Sequence, residues 1–193
     1  MSPKTKDQVE FIRKQSRSNI MKVALELFAH KGFHSTSVSQ IAKTADVSKG
    51  LLYNYFESKE DLLLQIFMDM FRETSNILES ELGKTDDPKV QLKNIIHQAF
   101  ELVQSNLTFW KLATSLAFQE DVLSEYRESL KGYGKNMENQ IYDIFKRLGY
   151  TDFKNEARLF SATLDGLGFQ YMHSTEHYPI EELKEYLINK YCS

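Results

Sequence analysis

Across almost all of the 193 residues, apolar side chains recur at every third and fourth position, and only three prolines, Pro3, Pro88 and Pro179, interrupt the pattern. That spacing is the period of a helix rather than of a strand, and so few prolines leave helices unbroken, so the expected fold class is all-α. The first stripe, Ile20, Val23, Ala24, Leu27 and Phe28, stops at Gly32, a natural helix end, and sets a helix from about Arg17 to His30. Next come Val38, Ile41, Ala42 and Ala45, preceded by Ser37 with Gln40 three residues on, a pairing in which each side chain satisfies the other's free backbone amide. A third short helix opens at the N-cap Ser48 and runs to Phe56, and Ser58 with Asp61 caps a longer fourth carrying Leu63, Ile66, Phe67, Met70 and Phe71.

The segment from Gly83 to Pro88 holds the strongest breaker signal and separates the fourth helix from a fifth, striped by Leu92, Ile95, Ile96, Ala99, Phe100 and Val103. A shorter helix spans about Phe109 to Phe118, and a long one passes through Leu130, Tyr133, Met137, Ile141, Ile144 and Leu148 to end at Gly149. Two more, about Lys154 to Ser174 and Pro179 to Tyr191, bring the expected total to about nine.

Composition narrows the function classes. The only cysteine is Cys192, so an intrachain disulfide and a Cys-rich zinc site are excluded, and a reducing compartment fits. No signal-peptide stretch opens the chain and no run nears the roughly 18 apolar residues of a membrane span, so a soluble, cytoplasmic protein without a membrane partner is expected. The net charge of -3 is divided unevenly: residues 1–59 hold ten Lys or Arg against five Asp or Glu, and residues 60–193 hold fourteen against twenty-two. A basic head on an acidic body suits a protein that presents one end to a polyanion.

Two short helices joined by a tight turn and propped by a preceding one have the lengths of a helix-turn-helix. The residues sharpen that reading: Gly32 and Phe33, then Thr36 to Val38, Ile41 and Ala42, Val47 to Gly50, Leu52 to Phe56, and Ser58 to Leu62. In this order and spacing the stretch resembles the DNA-binding signature of the TetR family of bacterial transcriptional regulators. The match runs from Arg17 to Leu62, and beyond it the resemblance is architectural only.

The resemblance implies three regions: a basic arm or disordered leader at 1–16, a helix-turn-helix domain at 17–60, and an effector-binding and dimerisation domain at 61–193. The recognition helix would begin at Ser48 and lie in the major groove, Lys49 reaching guanine or phosphate and Gly50 letting the backbone approach closely. Tyr53 and Tyr55 would present hydroxyls to phosphates, although Tyr53, three residues before Phe56, is equally suited to packing, and Asn54 suits adenine or backbone. Lys59 would join its charge to a helix N-terminus to hold one phosphate, with Thr36 and Ser37 doing likewise across the groove. Leu51 stands where the family usually has a small residue; it suits a thymine methyl and forbids borrowing a relative's operator.

For the body, the resemblance implies that the last two helices pair with their copies in a homodimer, and Phe160, Leu164, Leu167, Gly168, Tyr171, Leu183 and Leu187 are the candidate interface. Phe100, Phe109, Trp110, Phe118, Tyr133 and Met137 supply apolar walls, with His97, Gln140 and Asp165 as polar groups, for a largely apolar or aromatic small-molecule effector; the same residues also read as core. The implied mechanism is a ligand-responsive repressor on a palindromic double-stranded operator, with the fourth helix as a lever that changes the separation of two reading heads. No cofactor or metal is called for. An enzyme lacks its expected constellations, with no G-x-S-x-G, no Walker loop, no H-E-x-x-H and no Glu three residues before any histidine. His173 and His177, four apart, sit at a helix end and read as solvated, while a plain helical interaction module leaves the residues from Ser48 to Lys59 unexplained.

Overall fold

A computed structural model describes residues 5–117, 119 and 127–192, and for residues 127–131 and 133 the backbone alone. Every regular element among them is helical: α1 (Lys6–Lys31), α2 (Val38–Thr44), α3 (Lys49–Tyr53), α4 (Lys59–Leu82), α5 (Pro88–Ser105), α6 (Leu107–Leu116), α7 (Arg127–Arg147), α8 (Phe153–His173) and α9 (Ile180–Cys192). The all-α expectation holds, and the punctuation was where the sequence put it. Gly32 ends α1 at φ +84° and Gly149 follows α7 at φ +87°, conformations that cost a residue with a Cβ. Asp87 caps α5, its side chain accepting from the Lys89 amide, with Pro88 at the first helical position, where no N–H is needed.

Two ends differ from expectation. Helix α1 starts at Lys6, so residues 6–16 are the first turns of that helix rather than an arm or leader preceding it. Their apolar members Val9, Phe11 and Ile12 are exposed, which is why no buried stripe announced the start; the helix is begun instead by a capping box of Thr5 with Gln8. Helix α3 stops at Tyr53, with Asn54 as its C-cap, and the amides of Tyr55 and Phe56 both turn back to the Leu52 carbonyl. The helix expected to be the recognition helix is thus shorter than the run to Phe56.

The chain divides into two compact units. The first comprises residues up to Asp69 together with 111–124, and its core holds Ile20, Ala24, Phe28, Phe33, Ile41, Ala42, Leu52, Phe56, Leu62 and Leu63. The second comprises Met70–Trp110 and Glu125–Ser193. In it α5 packs against α7, α8 and α9, and α7 against α8, around Leu92, Ile96, Phe100, Ile144, Phe145, Phe160 and Leu187. The rings of Phe145, Phe160 and Tyr191 meet there with centroids 5.3 to 5.9 Å apart. Helix α4 is continuous from one unit into the other, and no helix among the described residues is long and apolar enough to cross a membrane.

Candidate nucleic-acid interface

The first unit carries its candidate reading surface on α2 and α3. Ser37 accepts from the Gln40 amide at 3.2 Å while its own amide donates to Gln40 Oε1 at 2.7 Å, which starts α2 cleanly. The turn to α3 passes through Asp46 at φ 55°, a left-handed conformation that Asp tolerates better than most residues, and Asn19 Nδ2 on α1 donates to the Ala45 carbonyl at the end of α2. Ser48 Oγ accepts from the Leu51 amide at 3.0 Å and begins α3. Sequence reasoning found both caps and missed Asp46 and Asn19, whose types tolerate such roles without announcing them.

What α3 offers to solvent is Ser48, Lys49, Gly50, Tyr53 and Asn54, all exposed, with Leu51 and Tyr55 half-buried and Leu52 and Phe56 in the core. Tyr53 is 47% exposed, which answers its double reading: it does not pack with Phe56. Lys49 Nζ lies 5.8 Å from the centroid of the Tyr53 ring, one helical turn on, so the two side chains form one raised, cationic and aromatic feature. Lys43, exposed near the end of α2, adds a charge that the sequence reading did not single out.

Two expected DNA contacts are corrected. Thr36 is 1% exposed, and its hydroxyl is engaged by the carbonyls of Gly32 at 2.9 Å and Leu27 at 3.3 Å, so it ties the end of α1 to the turn before α2 and has no path to a phosphate. Lys59 is half-buried: its ammonium donates to the carbonyls of Phe33 at 2.9 Å and Thr36 at 3.1 Å and lies 4.3 Å from the centroid of the Phe33 ring. Its charge serves the joint between α4 and the turn before α2. Replacing it, Lys59→Met, leaves two carbonyls without their donor, and an unfolding titration in urea is expected to show a loss of about 1–3 kcal/mol. The salt dependence of DNA binding should not change, whereas loss of a phosphate contact would lower its slope by about one for each head.

A clamp that periodicity cannot reveal fixes the first turns of α4. Arg17 donates to Asp69 at 3.1 Å and Gln65 at 2.6 Å and stands 5.7 Å from the Phe56 ring centroid, while Gln65 donates to Asp61, whose carboxylate accepts from the Glu57 amide. Helix α1, the start of α4 and the Phe56–Glu57 link that follows α3 are thereby held together.

In the second unit the candidate dimer residues face inward. Phe160 and Leu187 are fully buried core, Gly168 is buried where α8 passes Val103, Leu164, Leu167 and Tyr171 pack against the core, and Leu183 is half-buried on α9. A helix turns about 100° per residue, so Leu159, Ala162, Gly166 and Phe169 fall on the opposite side of α8. There Leu159 is 61% and Phe169 46% exposed, and on α9 Tyr186 is 63% exposed.

The effector candidates divide similarly. Phe100 belongs to the core, and Phe109 is buried edge-on between Phe71 and Trp110, whose indole N–H donates to the Leu102 carbonyl at 3.1 Å. Met137 packs on the core, Gln140 is half-buried, and His97 lies close enough to Glu181 of α9 to act on its charge. Asp165 is exposed as a residue, yet partial burial of its carboxyl raises its pKa by desolvation. Phe118 and the side chain of Tyr133 lie outside the described residues, and His173 and His177 are both exposed.

A short N-capped helix that follows another across a tight turn, with lysine, tyrosine and asparagine exposed on it, is the arrangement of a helix-turn-helix. The family model described as "Bacterial regulatory proteins, tetR family" matches residues 20–66 of this chain. The chain is 31% identical over 126 residues to the fatty acid metabolism regulator protein of Bacillus subtilis, covering 62% of this chain and 64% of that one. A regulator from Staphylococcus aureus is 27% identical over 192 residues, covering 92% and 93% of the two chains. A second B. subtilis regulator is 34% identical over 112 residues, but the match spans only 38% of its length. These relatives are transcriptional regulators, not enzymes. The fold is shared with the fatty acid degradation regulator FadR of Bacillus halodurans (TM-score 0.77, 22% identity, 92% and 95% covered). It is also shared with B. subtilis FadR solved in complex with stearoyl-CoA (TM-score 0.75, 23% identity, 91% and 97% covered).

Proposed function

We propose that this chain is a ligand-responsive transcriptional repressor that reads a palindromic operator as a homodimer and is released by a fatty-acyl effector. The observation that carries the DNA-binding part is the exposed cluster of Lys49, Tyr53 and Asn54 on a capped α3, in a head held together by the Arg17 clamp. Two such heads on a two-fold axis match a palindrome whose half-sites lie one helical turn apart, roughly 34–36 Å. The exposed apolar side of α8 with Tyr186 of α9 is the self-pairing surface, in place of the inward-facing residues first named. The relatives' names and the stearoyl-CoA complex of a fold neighbour support an acyl effector, as does the aromatic and aliphatic interior of the second unit. Helix α4, continuous between the units, is the element through which ligand changes head separation.

The test is capture of genomic DNA with the purified protein, then titration of the enriched fragment with salt and with stearoyl-CoA. A recurring palindrome, affinity falling steeply with salt, and release by the thioester are expected. Weak, sequence-indifferent binding sinks the operator reading, and a retained operator that ignores stearoyl-CoA sinks the acyl effector alone.

A further inference from the structure

Threonine in a helix ordinarily satisfies its hydroxyl on the carbonyl one turn back. This protein does so at Thr163, whose Oγ1 donates to the Leu159 carbonyl at 2.7 Å, and Ser105 does the same with Glu101 at 2.6 Å. Thr74, on α4 in the second unit, is different. It is 8% exposed, and among the described residues its Oγ1 is the buried side-chain polar atom left without a hydrogen-bond partner. A buried, unpaired hydroxyl is costly and calls for an occupant that completes it.

Its surroundings say what kind. Phe71, Thr74 and Leu78 lie at positions i, i+3 and i+7, along one side of α4. Phe71 meets the buried ring of Phe109, itself edge-on to Trp110, and Leu78 belongs to the aliphatic core of the second unit. Thr74 is thus a buried polar group on the side of α4 that carries Phe71, of the aromatic cluster, and Leu78, of the aliphatic one. The other polar group of the aromatic cluster, the Trp110 indole N–H, is already engaged by Leu102. The basic residue nearest in sequence, Arg72, is exposed. A buried carboxylate needs a cation or several donors, whereas one hydroxyl suffices for a neutral carbonyl.

We propose that the Thr74 hydroxyl is the hydrogen-bond donor to the uncharged thioester carbonyl of a long-chain acyl-CoA, whose acyl chain runs through the apolar interior beside Phe71 and Leu78. This rests on the acyl-effector reading above and adds to it the residue that distinguishes a thioester from other apolar chains. A hydroxyl reserved for ligand contributes nothing to the ligand-free fold, so removing it isosterically leaves that fold intact.

The test compares full-length wild type, Thr74→Val and Thr74→Ser by calorimetry, with stearoyl-CoA and with its S-octadecyl thioether analogue, in which a methylene replaces the carbonyl. Wild type is expected to prefer the thioester by about tenfold, the worth of one buried hydrogen bond. Thr74→Val should bind both at the thioether's affinity, Thr74→Ser should keep most of the preference, and Thr74→Val without ligand should melt no lower than wild type. A Val variant that keeps the preference, a wild type that binds both probes alike, or a ligand-free Val variant that melts well below wild type overturns the assignment while leaving the acyl effector standing. Wild type that binds neither probe overturns the acyl effector itself, and the Thr74 assignment with it.

Discussion

Replacing Leu159 and Phe169 together by glutamate is expected to give a folded monomer whose affinity for a two-half-site operator has dropped by about 10²–10⁴-fold, the avidity that joining two binding modules ordinarily supplies. Both side chains are largely exposed in the single chain, so the substitution removes little internal packing. In a two-fold interface each substitution appears twice, which sets four carboxylates against one another in a surface being stripped of water. The monomer keeps its head and its half-site contacts but loses the linkage between heads. Light scattering of the eluting peak reads the mass, and titration against one and against two half-sites reads the avidity. Phe160→Ala supplies the contrast: Phe160 is core, so its loss should cost about 3–5 kcal/mol of stability without splitting a dimer that remains folded. If the double glutamate variant stays dimeric while Phe160→Ala dissociates, the inward-facing residues form the interface after all.

That contrast also shows where the sequence stopped speaking. Helix α8 is apolar or small-faced on two sides, Phe160, Leu164, Leu167 and Tyr171 on one and Leu159, Ala162, Gly166 and Phe169 on the other. Periodicity locates both stripes but does not say which meets the chain's own core, because that depends on α5 and α7 arriving from elsewhere in the sequence. The caps were legible for the opposite reason: Ser37 with Gln40, and Ser48 with the Leu51 amide, are complete within four residues. So was Gly32, whose backbone conformation few other residues accept.

Thr36 and Lys59 were misplaced by residue type. A hydroxyl and an ammonium read as surface groups, and both are instead satisfied by carbonyls of the turn around Phe33. The start of α1 was hidden because its first turns bury nothing, although Thr5 and Gln8 form the same kind of capping box that was recognised at Ser37. Thr74 was passed over because nothing in a sequence marks a hydroxyl that finds no partner.

The recognition helix carries the other large effect. Lys49→Ala is expected to weaken operator binding by about 30-fold to about 2 × 10⁴-fold, since a specific base contact is worth about 1–3 kcal/mol and a dimer makes it twice. Stability should not change, because Lys49 is exposed and α3 is begun by Ser48. The ring of Tyr53 one turn on lies 5.8 Å from the ammonium, so Tyr53→Ala should lower affinity partly by freeing the lysine stem, and Tyr53→Phe, which keeps the ring, should lower it less. What Lys49 touches is decided by how the loss is distributed. If it reads guanine, Lys49→Ala relaxes the preference at one symmetric pair of operator positions. If it holds phosphate, every sequence weakens alike and the salt slope falls by about two, one for each head. An operator affinity unmoved by Lys49→Ala would mean that α3 does not enter the groove on this side, and the reading surface would have to be sought around Lys43 on α2.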